Sequence, residues 1–226
     1  MKVKLTRITQ NPVQAIEEAA SNCYDSEIAD GRIMRACYNS GHHSVLEFAD
    51  FTFHVEGVSR ALLAQLSRHR FCSFAVRSQR YCDENNFKYV VPHSFEHNHD
   101  AMLEYVRTME KILETYKYLQ SIGIPNEDAR YVLPNACETI LEIKMNGREL
   151  IHVFNERGCA RAQWEIRELV HLMKAAIEAE GGEAAEFAKF LVPKCERFGK
   201  DHAFCPEHSS CGRHPRLKDL KFDKIK

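Results

Sequence analysis

Between Arg68 and Tyr81 the chain reads Arg-His-Arg-Phe-Cys-Ser-Phe-Ala-Val-Arg-Ser-Gln-Arg-Tyr, which puts five arginines and histidines within 13 residues. Guanidinium groups are planar, permanently charged forks suited to phosphate and carboxylate, and the interleaved serines are small donors to oxygen. A basic run of this kind is most often a solvated turn. Here Cys72, Phe74, Ala75 and Val76 lie among the charges, and an exposed turn seldom needs them. Further cations follow at Arg130, Arg148, His152 and Arg157. Each arginine alone is more often one half of a surface ion pair, and a lone histidine such as His152 is more often a satisfied, partly buried side chain.

A second cluster closes the chain. Cys195, Cys205, His208, Cys211 and His214 fall within 20 residues. Thiolate and imidazole are good zinc ligands, and Cys195, Cys205, His208 and Cys211 would fill a tetrahedral structural site. The spacing fits no standard finger and contains no C-x-x-C, so free thiols are the alternative. The other cysteines, Cys23, Cys37, Cys72, Cys82, Cys137 and Cys159, are scattered and read as thiols rather than as a disulfide framework.

These residues need elements to position them. Asn11-Pro12 opens a helix through Tyr24, with Asn11 as its cap. A second helix runs from about Asp30 to Asn39 and stops at Gly41. Phe51, Phe53 and Val55 alternate with Thr52 and His54 in strand periodicity. Ser59 caps a short helix that delivers Arg68-His69-Arg70 at its far end. Lys88 to Val91 reads as a short strand ending at Pro92. Asp100 through Ile122 is the longest helical pattern, and Pro125-Asn126 opens a short helix halted near Pro134. Leu141, Ile143 and Met145 alternate with Glu142 and Lys144 as a half-exposed strand. Asn146-x-x-Glu149 resembles a capping box and starts a helix toward Arg157, and Ala162 to Glu180 is strongly amphipathic. Strands separated by helices in mixed order predict an α/β or α+β fold. The domain is expected over residues 1–192, with a Cys/His-containing tail at 193–226.

The 226 residues carry a formal net charge of −1 with 28% charged side chains, so no global basic field recruits nucleic acid. No apolar stretch approaches bilayer length, and Met1 to Arg7 lacks the apolar run of a secretory signal. A cytoplasmic protein without membrane contact is expected.

Arg68-His69-Arg70, seven residues and then Ser78 match the R-H-R-x7-S signature of the flavin-dependent thymidylate synthases. Three further segments resemble that family in the same order. Gly41-His42-His43-Ser44-Val45-Leu46-Glu47 is similar to its G-H-x-[ST]-x-x-E, and Ala129-Arg130-Tyr131-Val132-Leu133-Pro134 to its A-R-x-x-L-P. Asn146-Gly147-Arg148, with His152, Arg157 and Ala162-Gln163-Trp164-Glu165-Ile166-Arg167, is similar to its N-x-R…R…A-Q-x-E-I segment. The resemblance spans residues 12 to 192 and implies that activity and the family's α/β (α+β) fold, a single domain whose central twisted mixed or antiparallel sheet is flanked by helices. Methylenetetrahydrofolate would supply a carbon to dUMP, NADPH would reduce FAD, and dTMP and tetrahydrofolate would leave. The family binds FAD at subunit interfaces of a homotetramer without a dinucleotide-binding glycine motif, and the sequence has neither G-x-G-x-x-G nor a P-loop.

Carried over by position, the resemblance implies that Ser44, Glu47, Arg68, His69, Arg70, Phe71, Asn146, Arg148 and His152 approach FAD. Gln65, Arg68, Arg77, Ser78, Arg80, Arg130 and Arg157 would serve dUMP. Arg80 and Arg130 would clamp its phosphate, while Arg157 would hold the uracil edge and stabilise developing negative charge. Ser78 stands where a nucleophile could act, but its neighbours offer no base partner, so it is assigned to positioning. His42 is a candidate for contact with folate and flavin. The chain departs from the pattern at Ala75 and Val76, where many members have Asn and Glu, and Arg77 follows. This leaves room for a paralogue acting on a related pyrimidine nucleotide. A nucleic-acid-binding protein with a zinc tail is a further alternative, which the near-zero net charge disfavours.

Overall fold

The computed structural model describes residues 1–24 and 30–220. In chain order the elements are β1 (Lys2–Ile8), α1 (Pro12–Tyr24), α2 (Arg32–Asn39), a 3-10 turn (His43–Phe48), β2 (Asp50–Ser59), α3 (Arg60–Leu66) and β3 (Cys72–Val76). There follow α4 (His93–Glu96), α5 (His99–Ser121), α6 (Asn126–Ala129), β4 (Glu138–Asn146), α7 (Gly147–Arg157), α8 (Trp164–Glu178) and α9 (Gly182–Ala188), with short 3-10 turns between and after them. The four strands form one antiparallel sheet in the order β1-β2-β4-β3, giving an α+β fold. The expected central sheet and flanking helices are therefore present. Alternation holds in β4, where Thr139, Leu141, Ile143 and Met145 are buried and Ile140 and Lys144 are exposed.

The chain divides into two compact units, one built from Met1–Lys2, His54–Arg68 and Phe74–Ile143, the other from Val3–Phe53, His69–Ser73 and Lys144–Lys226. The first has its own apolar cluster, in which Phe87, Met109 and Cys137 pack with Tyr89, Tyr105, Ile112, Leu113 and Leu133. In the second, the Phe51 and Phe187 rings lie 4.7 Å apart, and Ile16, Phe154, Ile166, Leu169 and Met173 are buried. The segment expected to be a strand at Lys88 to Val91 is reduced to an isolated bridge between Tyr89 and Cys137. Pro92, which has no amide hydrogen, ends the pairing at once.

Helix starts follow side-chain chemistry, though not always the chemistry expected. Ser59 accepts from the Leu62 amide, Asn98 from Ala101 and Asn146 from Glu149. At α1, however, Asn11 sits in the left-handed region with φ 48°. The first-turn amides of Val13 and Gln14 go instead to Glu183 Oε2, each at 2.9 Å. Glu17 does the same for α2, accepting from Ile33 and Met34. Carboxylates distant in sequence have replaced the local cap in both cases. The expected capping box at Asn146 is half formed. Glu149 does not reach back to Asn146, because its carboxylate accepts from the Phe71 amide.

Candidate active site

In the second unit, α7 organises the cationic residues. Asn146 caps it, and Gly147 lets its first turn lie against the 3-10 turn, since a Cβ there would meet the Leu46 carbonyl oxygen at 2.7 Å and the Phe187 ring at 3.0 Å. That approach brings Arg148 Nη1 to 2.7 Å from Glu47 Oε1. Ser44 and His42 stand exposed on and before the same turn. His152, one helical turn beyond Arg148, sets its ring edge-on to His69 at 5.7 Å.

His69 is 6% exposed, and its Nε2 accepts from Arg157 Nε at 3.0 Å. Burial, reinforced by the charge of Arg157 and by His152, lowers its pKa to about 4. The ring is therefore neutral near pH 7, and with Nε2 accepting, its proton must sit on Nδ1. Nδ1 faces Glu149 Oε1 at 3.8 Å, which is an electrostatic contact and too long for a hydrogen bond. Glu149 is itself buried, and burial raises its pKa. The Cys72 thiol is pushed up to about 12 by burial and then by Glu149, so it is no nucleophile. Beside this buried network, Arg70 and Arg148 are exposed, as are the rings of Phe71 (78%) and Phe48 (64%).

In the first unit, Arg80 Nε lies 2.6 Å from Glu127 Oε2, and Arg130 Nε donates to the Glu127 carbonyl at 3.0 Å. The two arginines assigned to phosphate thus meet at one residue. The Arg80 guanidinium also lies over the Tyr81 ring, 5.2 Å from its centroid. Ser78 stands at the neck of the same loop: its carbonyl accepts from the Cys82 amide at 2.9 Å and its Oγ from the Arg80 amide at 3.2 Å. Among the described residues no base is bonded to Ser78 Oγ. Arg77 is engaged elsewhere. Its Nε donates to buried Glu84 at 3.3 Å and its Nη2 to the Asp83 carbonyl at 3.2 Å, so it clamps the loop that carries Ser78 and Arg80. Gln65 is half-buried and Arg68 exposed at the end of α3.

The residues implied for FAD therefore lie in the second unit, except Arg68. Those implied for dUMP lie in the first, except Arg157. Sequence reasoning missed three acids. Glu84, Glu127 and Glu149 each hold or face an assigned cation. Only Glu149 carried a signal, in its N-x-x-E spacing, and that pointed to a cap. Among the described residues the expected zinc ligands Cys195, Cys205, His208 and Cys211 do not come together. Cys205 is buried and paired through its backbone with Pro215, while His208 and Cys211 are exposed. All nine cysteines are free thiols.

Residues 4–195 match the family model described as thymidylate synthase complementing protein. The chain is 36% identical to a flavin-dependent thymidylate synthase of Nitratidesulfovibrio vulgaris, over 97% of each chain. In fold it is similar to thymidylate synthase X of Helicobacter pylori, solved with FAD and dUMP (TM-score 0.68, 24% identity, 84% of this chain and 99% of that one). It is also similar to a UMP/dUMP methylase of Streptomyces cacaoi (TM-score 0.71, 23% identity, 83% and 94%).

Proposed function

The chain belongs to the family of flavin-dependent thymidylate synthases, and from this we infer that it methylates dUMP to dTMP with 5,10-methylenetetrahydrofolate as carbon donor. The observation that carries the reading is the 36% identity to a curated member over nearly the whole of both chains. No helix among the described residues is long and apolar enough to cross a membrane.

FAD presents a flat apolar ring and an anionic diphosphate, and the second unit offers surfaces of both kinds. Phe48 and Phe71 expose aromatic faces, Arg70 and Arg148 expose guanidinium groups, and α7 begins at a capped turn. We assign FAD binding to Ser44, Glu47, Arg68, His69, Arg70, Phe71, Asn146, Arg148 and His152. Bound there, FAD supplies the electrons, drawn from NADPH, that turn the transferred carbon into a methyl group. The Glu47–Arg148 ion pair holds that guanidinium in place before any anion arrives.

For dUMP we assign Gln65, Arg68, Ser78, Arg80 and Arg130, with Arg77 shaping the loop, and Arg157 for the uracil edge. The Glu127 carboxylate beside Arg80 keeps that guanidinium oriented in advance, which lowers the ordering cost of binding a phosphate. Arg157 Nε donates to His69, which fixes the guanidinium, and its Nη groups would supply a donor pair to an oxygen that gains negative charge. His69 can accept only while neutral, so its burial maintains the donor geometry. His42, exposed before the 3-10 turn, is kept as a folate and flavin contact. Residues 1–192 would form the catalytic domain and 193–226 an appended tail, and a homotetramer would complete the sites.

The test is Arg157→Ala in protein loaded with FAD. Production of dTMP is expected to fall by about 10²–10³-fold or more, while the visible flavin bands persist. Unchanged turnover would remove Arg157 from the reaction.

A further inference from the structure

The tail carries chemistry that the proposed reaction does not use. Cys195, Glu196 and His214 bring a thiol sulfur, a carboxylate oxygen and an imidazole nitrogen within 4.8 Å of one another. We propose that these three side chains bind one divalent ion of the zinc class, at a site that takes no part in the methyl transfer. The donor set selects that class, because thiolate and imidazole favour zinc-like ions while magnesium and calcium prefer oxygen alone. Ligand bonds of about 2.0–2.3 Å place donors up to about 4 Å apart, so small side-chain rotations close the site.

The charges fit as well. Glu196 is 7% exposed, and its carboxylate lies between the His214 imidazole and the Arg213 guanidinium. His214 Nε2 lies 3.0 Å from Glu196 Oε1, and the ion takes the place of the proton between them. Binding moves the His214 proton from Nε2 to Nδ1 and releases the Cys195 thiol proton to solvent. A thiolate and a carboxylate then balance a doubly charged ion. Arg213 Nε, 2.6 Å from Glu196 Oε1, remains as the outer donor that orients the carboxylate.

The backbone around each ligand is already held. The Cys195 carbonyl accepts from Phe204 at 3.1 Å, and the His214 carbonyl accepts from Ser210 Oγ at 2.7 Å. The next residue, Pro215, accepts from Cys205 at 2.7 Å. Water fills the fourth position, as in other three-ligand sites. The ion would tie the 213–214 segment to the 194–196 turn.

The experiment uses the full chain stripped with a chelator and titrated with Co²⁺, then competed with Zn²⁺. A thiolate-to-cobalt charge-transfer band is expected to saturate at one equivalent. It should vanish in Cys195→Ser, weaken at least about tenfold in His214→Gln, and persist in Cys211→Ser and His208→Ala. No band in the parent protein overturns the site, as does a band that survives Cys195→Ser. A band lost in Cys211→Ser overturns this ligand set in favour of another. If Cys195→Ser does not fold, His214→Gln decides alone, and unchanged affinity there sinks the proposal.

Discussion

Acidification should destabilise this protein through one buried histidine. His69 has a pKa of about 4 in the folded chain against an ordinary 6.5. Between those values the unfolded chain binds a proton that the native ring refuses. The contribution of His69 is therefore fully present above the unfolded value, and it is lost as pH falls from 6.5 toward 4. With 1.36 kcal/mol per pKa unit, moving from about pH 7 to about pH 5 removes about 2 kcal/mol through this residue alone. The cause is burial first and the Arg157 charge second, and a protonated Nε2 can no longer accept from Arg157 Nε at 3.0 Å. The assay is urea unfolding at both pH values, at one fixed protein concentration. The control is His69→Gln, whose amide oxygen can stand where Nε2 accepts and which does not titrate. Carboxylates elsewhere act equally in both proteins and cancel in the difference. The parent should lose about 2 kcal/mol more than the variant over this interval. Equal losses would refute the buried, neutral assignment of His69, whatever the enzyme's activity.

Two other substitutions probe the supports of the site. Gly147→Ala places a methyl group against the Leu46 carbonyl and the Phe187 ring, and is expected to cost about 1–3 kcal/mol in chemical denaturation. It should also weaken FAD retention, because the displaced first turn of α7 carries Arg148 away from Glu47. Arg77→Ala leaves the Glu84 carboxylate, 8% exposed, without its partner and is expected to cost about 1–3 kcal/mol. Its KM for dUMP should rise while FAD binding, read from the flavin bands, stays unchanged. A variant as stable as the parent would mean that the clamp contributes nothing.

The elements legible in the sequence were those whose pattern is local. α5, α7, α8 and the buried alternation of β4 follow from periodicity, and α7 also from its cap at Asn146; the caps at Asn98 and Gln163 came from the structure. β1 was missed: Lys2 to Leu5 alternates, but Thr6-Arg7 breaks the period, and pairing with β2 carries the strand on to Ile8. The Lys88 to Val91 segment failed the opposite way, since a strand-like composition meets a partner at one position only.

The site divides along the same line. Its cations stand out in sequence because arginine clusters are rare enough to notice, and a motif then orders them. The acids that aim those cations do not stand out by composition, and only Glu47 was assigned to the site, through the family motif rather than as a partner of Arg148. Glu47 comes to Arg148 across 101 positions of sequence and Glu127 to Arg80 across 47, and Glu149 is brought to His69 by the packing of α7. Sequence alone suggests a set of positive charges awaiting an anion. In the fold, Arg80 and Arg148 are each held by a carboxylate and Arg157 by a neutral histidine. This difference has a chemical consequence. An unpaired arginine must lose side-chain freedom when a ligand binds, whereas Arg80, Arg148 and Arg157 have already lost much of it on folding. Preorganisation of this kind lets binding energy act on the transition state rather than on ordering the site. The carboxylate that orients each exposed cation also competes with the anion for it, which favours ligands that make two hydrogen bonds to a guanidinium over those that make one.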